Sequence, residues 1–139
     1  MSPAIFLRRT ATTTIGLFNE ALGVGAGTDW GSGEETDYLL RGLEQGLRFK
    51  YDPALIVLHP QVETPRRASK GSRAFSYGMG CGWVLRRHRY PLPEVLYHCL
   101  RPIGGALVSL VRLDLHRARF SWQVALGRIR GYRTATPLT

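Results

Sequence analysis

Between Gly31 and Arg41 the chain reads GSGEETDYLLR, which puts Glu34, Glu35 and Asp37 in the opening turn of a segment whose leucines repeat at helical spacing. A carboxylate held near a hydroxyl takes its proton as a new bond forms, which is general base catalysis. Neighbouring carboxylates support such a site electrostatically. Behind this turn, from Leu47 to Pro60, LRFKYDPALIVLHP carries two apolar runs and ends the second on His59. Neutral imidazole is a competent ligand for manganese, whereas magnesium prefers oxygen. The acids and the imidazole can converge if the elements between them fold back. Trp30, set among glycines just before the acidic turn, is a flat apolar surface of the kind that packs on a sugar ring.

The same residues have a structural role open to them. Ser32 and Glu35 stand at the S-x-x-E spacing of a capping box, in which Glu35 bonds back to the Ser32 amide. Acids in a first turn complement the helix dipole, and Asp37 with Arg41 is an i, i+4 ion pair. At about 100° per residue, Glu34 lies opposite the leucine stripe and Glu35 at its margin, where a carboxylate can face a cleft. Spacing alone leaves both roles open.

The elements that must position these groups follow from periodicity and punctuation. Ala4 to Leu7 reads as a strand, and Thr10 to Ile15 as a short helix stopped at Gly16. LFNEALGVGAGTDWGSG is a long irregular loop. Leu39, Leu40, Leu43 and Leu47 share a face, so a helix is expected over about Gly33 to Gln45 with Gly46 as its C-cap. Arg48 to Tyr51 and Leu55 to His59 read as two strands around an Asp52, Pro53 turn. Gln61 to Gly71 is a polar linker. Ser72 to His88, Glu94 to Leu113 and Leu115 to Arg130 are helical, with breaks at Pro91, Pro93 and Pro102. The order of elements gives an α/β fold with a C-terminal helical extension, divided into residues 1 to 63 and 64 to 139.

Composition narrows the classes. Hydrophobic residues make up 44% of the 139 and charged residues 21%, which excludes a disordered chain. Residues 1 to 63 hold 5 basic and 8 acidic side chains, and the remainder 14 against 2. Such a rear half attracts a polyanion, either anionic lipid or nucleic acid. Arg86, Arg87, His88 and Arg89 form a basic cluster, and Arg101, Arg112, Arg117 and Arg119 punctuate apolar helices that can lie in a bilayer interface. The sequence pI of about 10.4 suits nucleic acid, but no helix-turn-helix, zinc-finger or RNP pattern accompanies it, so none is expected as a partner. Cys81 and Cys99 form no CxxC and no disulfide framework, which fits a reducing compartment. Ile5 to Leu7 is followed at once by Arg8 and Arg9, unlike a signal peptide, and Ile103 to Val111 stops well short of the ~20 residues that span a bilayer. A cytoplasmic location is expected. GVGAG and YGMGCG lack the GK[ST] ending of a P-loop, and read as a flexible loop and as close helix packing.

Taken in order, Gly16, Leu17, Phe18, Asn19 and Glu20, then Gly33, Glu34, Glu35, Thr36 and Asp37, then Gly46, Tyr51, Asp52 and Pro53, and finally His59 make a series. On these residues, over roughly positions 4 to 60, the chain resembles the C-terminal half of a family 2 glycosyltransferase of the GT-A fold, of the bacterial polysaccharide type. The resemblance implies a partial Rossmann-like sheet and an inverting transfer from a nucleotide-sugar donor to a saccharide or lipid-linked acceptor. It puts Glu35 in the place of the family's usual aspartate base, with Glu34 and Asp37 supporting it. Trp30, Gly31 and Arg41 become substrate-binding residues, Lys70 and Arg73 meet the diphosphate, and His59 ligates a divalent metal, manganese or magnesium. Asn19 departs from the more frequent aspartate. The family's D-x-D occurs nowhere in the sequence, so a separate N-terminal nucleotide-binding half is implied. A peripheral place at the inner membrane face is implied as well. Two rivals stand beside this reading, a non-catalytic accessory subunit and a basic nucleic-acid-binding module.

Overall fold

The computed structural model describes residues 5–56, 58 and 70–135, the side chains of 70–72 excepted. Its regular elements are the helices α1 (Arg9–Ile15), α2 (Glu34–Glu44), α3 (Lys70–Arg87), α4 (Leu92–Val111) and α5 (Leu115–Thr134). No strand occurs among the described residues.

The α/β expectation is therefore corrected to all-α, and the GT-A resemblance falls with it, because the described residues form none of the Rossmann-like sheet it implies. The physical reason lies in what a strand needs. Its N–H and C=O groups must pair with a neighbouring strand. Residues 5–8, 48–51, 55–56 and 58 have no such ladder, and several of their apolar side chains stay in water; Phe6 is 69% and Leu58 90% exposed. Short apolar runs supplied strand propensity without a partner.

The helix ends obey local chemistry. Gly46, at φ 79°, closes α2 in the left-handed conformation expected of its C-cap glycine, with the Leu47 amide donating to the Gly42 carbonyl at 3.0 Å. α3 and α4 end the same way without glycine: Arg89 (φ 50°) and Leu113 (φ 56°) take the left-handed position. The Tyr90 amide then donates to Leu85 O, and that of Asp114 to Ser109 O. Pro91 caps α4 and Pro93 sits in its first turn, where a missing N–H leaves nothing unpaired. Pro102 was expected to break the segment, yet α4 runs through it. Proline at 102 cannot donate to the carbonyl four residues earlier, that of His98. The guanidinium of Arg128 on α5 donates to that carbonyl instead. A local backbone defect has become a contact between helices.

Glycines set how the helices meet. Gly78 and Gly82, one turn apart on α3, face Gly127 and Gly131, one turn apart on α5. A Cβ at Gly127 would come within 2.9 Å of the Gly78 Cα, and one at Gly131 within 2.8 Å of the Met79 Cα. The two backbones touch, which only small residues allow. Gly80 points another way, and its missing Cβ leaves room for the backbone of Ser32. YGMGCG thus packs helix on helix and helix on loop, as its spacing suggested.

Two apolar clusters fill the remaining space. Leu22, Trp83, Val84 and Ala135 pack together with Trp30 and Leu40 against them. Leu85, Val95 and Cys99 form the second, bordered by Cys81, Tyr90 and Tyr132. No helix among the described residues is long and apolar enough to cross a membrane.

Candidate functional site

The acidic turn begins on Gly33, which caps α2 in a left-handed conformation at φ 102°. A Cβ there would meet the Val84 Cγ2 at 2.9 Å and the Gly80 carbonyl oxygen at 3.2 Å, so glycine lets the chain lie flat on α3. Ser32 does not close a capping box. Its hydroxyl donates to the Tyr77 carbonyl at 2.9 Å, and α2 has no side-chain cap. Glu35 is left half-buried, and among the described residues no hydrogen bond or ion pair holds its carboxylate.

The loop before α2 is closed on itself and stapled to α3. The Gly23 amide donates to the Trp30 carbonyl at 2.8 Å, and the Thr28 hydroxyl to the Ala21 carbonyl at 2.6 Å. Ser76 of α3 accepts the Gly31 amide on its carbonyl at 3.1 Å and donates its hydroxyl to the Asp29 carbonyl at 2.9 Å. Glu34 lies over this loop; a Cβ on Gly23 would approach its carboxyl carbon to 2.8 Å. Trp30 packs into the cluster around Trp83, its ring centroid 6.2 Å from that of Trp83, with its Nε1 buried and unpaired among the described residues.

Asp37 has a different fate from its two neighbours. It is 2% exposed and accepts from the Arg41 Nε at 3.0 Å and from the His88 Nε2 at 2.9 Å. The other ring nitrogen of His88 donates to the Glu44 Oε1 at 2.7 Å, and the His88 side chain is also 2% exposed. An imidazole that donates from both nitrogens is the imidazolium. Burial opposes its charge, but the hydrogen bonds to Asp37 and Glu44 outweigh burial and raise the His88 pKa. Burial likewise opposes the charge on Asp37, and the bonds from His88 and Arg41 overcome it, lowering its pKa. Two carboxylates meet two cations, with no lone pair left on His88 for a metal or a proton.

Arg41 spends its remaining donors on backbone. Its terminal nitrogens reach the carbonyls of Ile15 and Leu17, each at 2.9 Å, and its guanidinium lies 5.2 Å over the ring of buried Tyr38. Phe18 stacks on the other part of this group, 4.1 Å from Tyr38. Arg41 and Asp37 therefore tie α1 and α3 to α2, and the i, i+4 pair read from spacing is present. Gly31 abuts Ser76 rather than an open surface. Arg73 is exposed in the first turn of α3, Lys70 opens that helix with its side chain outside the described residues, and His59 lies outside them altogether. No group of three or more His, Cys, Asp and Glu side chains is placed to hold a metal among the described residues.

His88, Glu44 and Ser76 were not singled out by sequence reasoning. His88 was read as one member of a basic surface cluster. Local spacing pairs Asp37 with Arg41 and gives no sign of His88, which reaches Asp37 and Glu44 only through the packing of α3 on α2. No protein-family model matches the chain, and no curated protein or solved structure gives a significant match to it.

Proposed function

We propose that this chain supplies the acceptor-activating carboxylate of an inverting sugar transfer, working with a separate nucleotide-binding half and lying peripherally at the inner face of the cell membrane. The observation that carries this reading is the contrast within one helical turn. Asp37 is consumed by an ion network and Glu34 lies against a glycine loop, whereas the half-buried Glu35 carboxylate has no hydrogen-bond or ion-pair partner among the described residues. In the reaction the acceptor hydroxyl oxygen bonds to the anomeric carbon, the nucleoside diphosphate leaves with the electrons of its glycosidic bond, and the hydroxyl proton passes to Glu35. The exposed guanidinium of Arg73, in the first turn of α3, suits the charge that builds on the leaving diphosphate. In an assembly reconstituted with its nucleotide-binding half, Glu35→Gln is expected to lower turnover by about 10² to 10⁴ while donor binding stays unchanged. Turnover equal to the unsubstituted chain removes Glu35 from the chemistry.

A second reading is favoured by the exposed run of Leu55, Ile56 and Leu58, which expects a covering surface. In it the chain is a non-catalytic subunit that completes a transferase carried elsewhere. Activity that needs this chain but ignores Glu35→Gln would identify that case.

A further inference from the structure

The C-terminal helices leave an apolar surface uncovered. On α4, Leu96, Leu100, Leu107 and Val111 recur at helical spacing and are exposed, on a face distinct from the buried Val95, Cys99, Ala106 and Ser109. The stripe runs on into the α4–α5 turn, where Val111 is 86% exposed, Leu113 85%, and Leu115 follows at the start of α5. Leu113 is held there against two preferences. Its φ of 56° is a conformation that favours glycine, and its side chain is in water.

Charge identifies what covers this surface. Arg101 lies within the stripe's helix, Arg112 sits between Val111 and Leu113, and Arg117 and Arg119 follow, all of them exposed. The nearest acid, Asp114, is occupied in capping α5, where it accepts the Arg117 amide at 2.9 Å. Exposed apolar side chains interleaved with arginines fit a phase that is hydrocarbon within and anionic at its boundary. Nucleic acid offers the anion without the hydrocarbon. We propose that α4 and the α4–α5 turn dock on an anionic lipid bilayer, with Val111, Leu113 and Leu115 entering the acyl boundary and the arginines meeting the headgroup phosphates. This proposal rests on the peripheral placement given above and is independent of the sugar-transfer chemistry.

The test is co-sedimentation of the full chain with vesicles of phosphatidylcholine alone and of phosphatidylcholine mixed with phosphatidylglycerol. Binding is expected to the mixed vesicles, weakened by salt. Val111→Asp with Leu113→Asp should weaken it by at least about tenfold, since both side chains leave hydrocarbon. Arg112→Gln and Arg117→Gln should each weaken it by about fivefold. These positions are exposed, so melting followed by circular dichroism should be no lower than in the parent chain, which separates lost docking from lost folding. Binding that survives the double aspartate variant overturns this surface while leaving the peripheral placement standing. A folded chain that binds neither vesicle overturns both and points to a protein partner. Tight association with duplex DNA, lost in the arginine variants and kept in the aspartate variant, overturns the lipid assignment in favour of nucleic acid.

Discussion

His88 occupies a position that a surface arginine run would not suggest, and its surroundings fix its charge. Asp37 and Glu44 accept from its two ring nitrogens at 2.9 and 2.7 Å, and Arg41 neutralises the second oxygen of Asp37 at 3.0 Å. These contacts differ in weight. Asp37 and His88 are sealed from solvent, whereas the Glu44 side chain is 47% exposed and its pairing is screened. Because the pKa of His88 is raised from 6.5, the stability it contributes is complete below 6.5 and is lost as pH rises through its higher folded value. Asp37, lowered from 3.8, acts oppositely: its contribution is complete above 3.8 and is lost as pH falls through its lower folded value. Urea unfolding across pH should therefore show a plateau between these limits and a decline on the alkaline side. His88→Gln, which cannot titrate, is expected to start less stable and to lose that alkaline decline. A decline of the same size in the variant would mean that another group governs it.

Among the helices, the contact of Pro102 with Arg128 is one that neither element implies alone. A proline inside a helix frees a carbonyl, and a buried carbonyl without a donor costs about 1 to 3 kcal/mol. Arg128 meets the freed carbonyl of His98 across the α4–α5 contact, at a level where Gly78, Gly82, Gly127 and Gly131 bring α3 and α5 to backbone contact. The arginine also lies beside Cys81, whose thiol burial pushes up despite the guanidinium. Its effect at His98 is thus best isolated by a double-mutant cycle. Arg128→Met should cost about 2 kcal/mol in the parent chain. After Pro102→Ala the restored amide can donate to His98 itself, so the same substitution should cost about 1 kcal/mol less, while losses at Cys81 cancel between the two backgrounds. Additive free energies from the four proteins would leave the arginine as packing only.

At the scale of the whole chain, the three C-terminal helices were legible as long segments punctuated by Pro91 and Pro93, and α2 because leucines at Leu39, Leu40 and Leu43 end at a glycine. The strands were not. Phe49 and Tyr51, and likewise Leu55, Ile56 and Leu58, record β-propensity, while a strand exists only where another supplies its hydrogen bonds. Of the site, the Asp37–Arg41 pair was legible from spacing, but the place of His88 depends on how α2 and α3 cross, which no local pattern contains. That crossing has a consequence for how the molecule opens. α3 and α5 interlock along their backbones and α4 is fastened to α5, whereas α2 and the loop before it meet α3 through Ser32, Ser76, the glycine contacts, part of the Leu22–Trp83 cluster and the His88 network. Cooperative units with fewer buried contacts open at lower free energy. Native-state hydrogen exchange should therefore show the amides of residues 36–44 opening well below the free energy of residues 76–85 and 122–132. Once corrected for intrinsic rates, protection in α2 should fall as pH rises through the His88 transition, while α3 and α5 hold, and His88→Gln should leave α2 equally open at every pH. Equal protection across all these segments would instead make the described helices one cooperative unit, with no separable front for the ion network to latch.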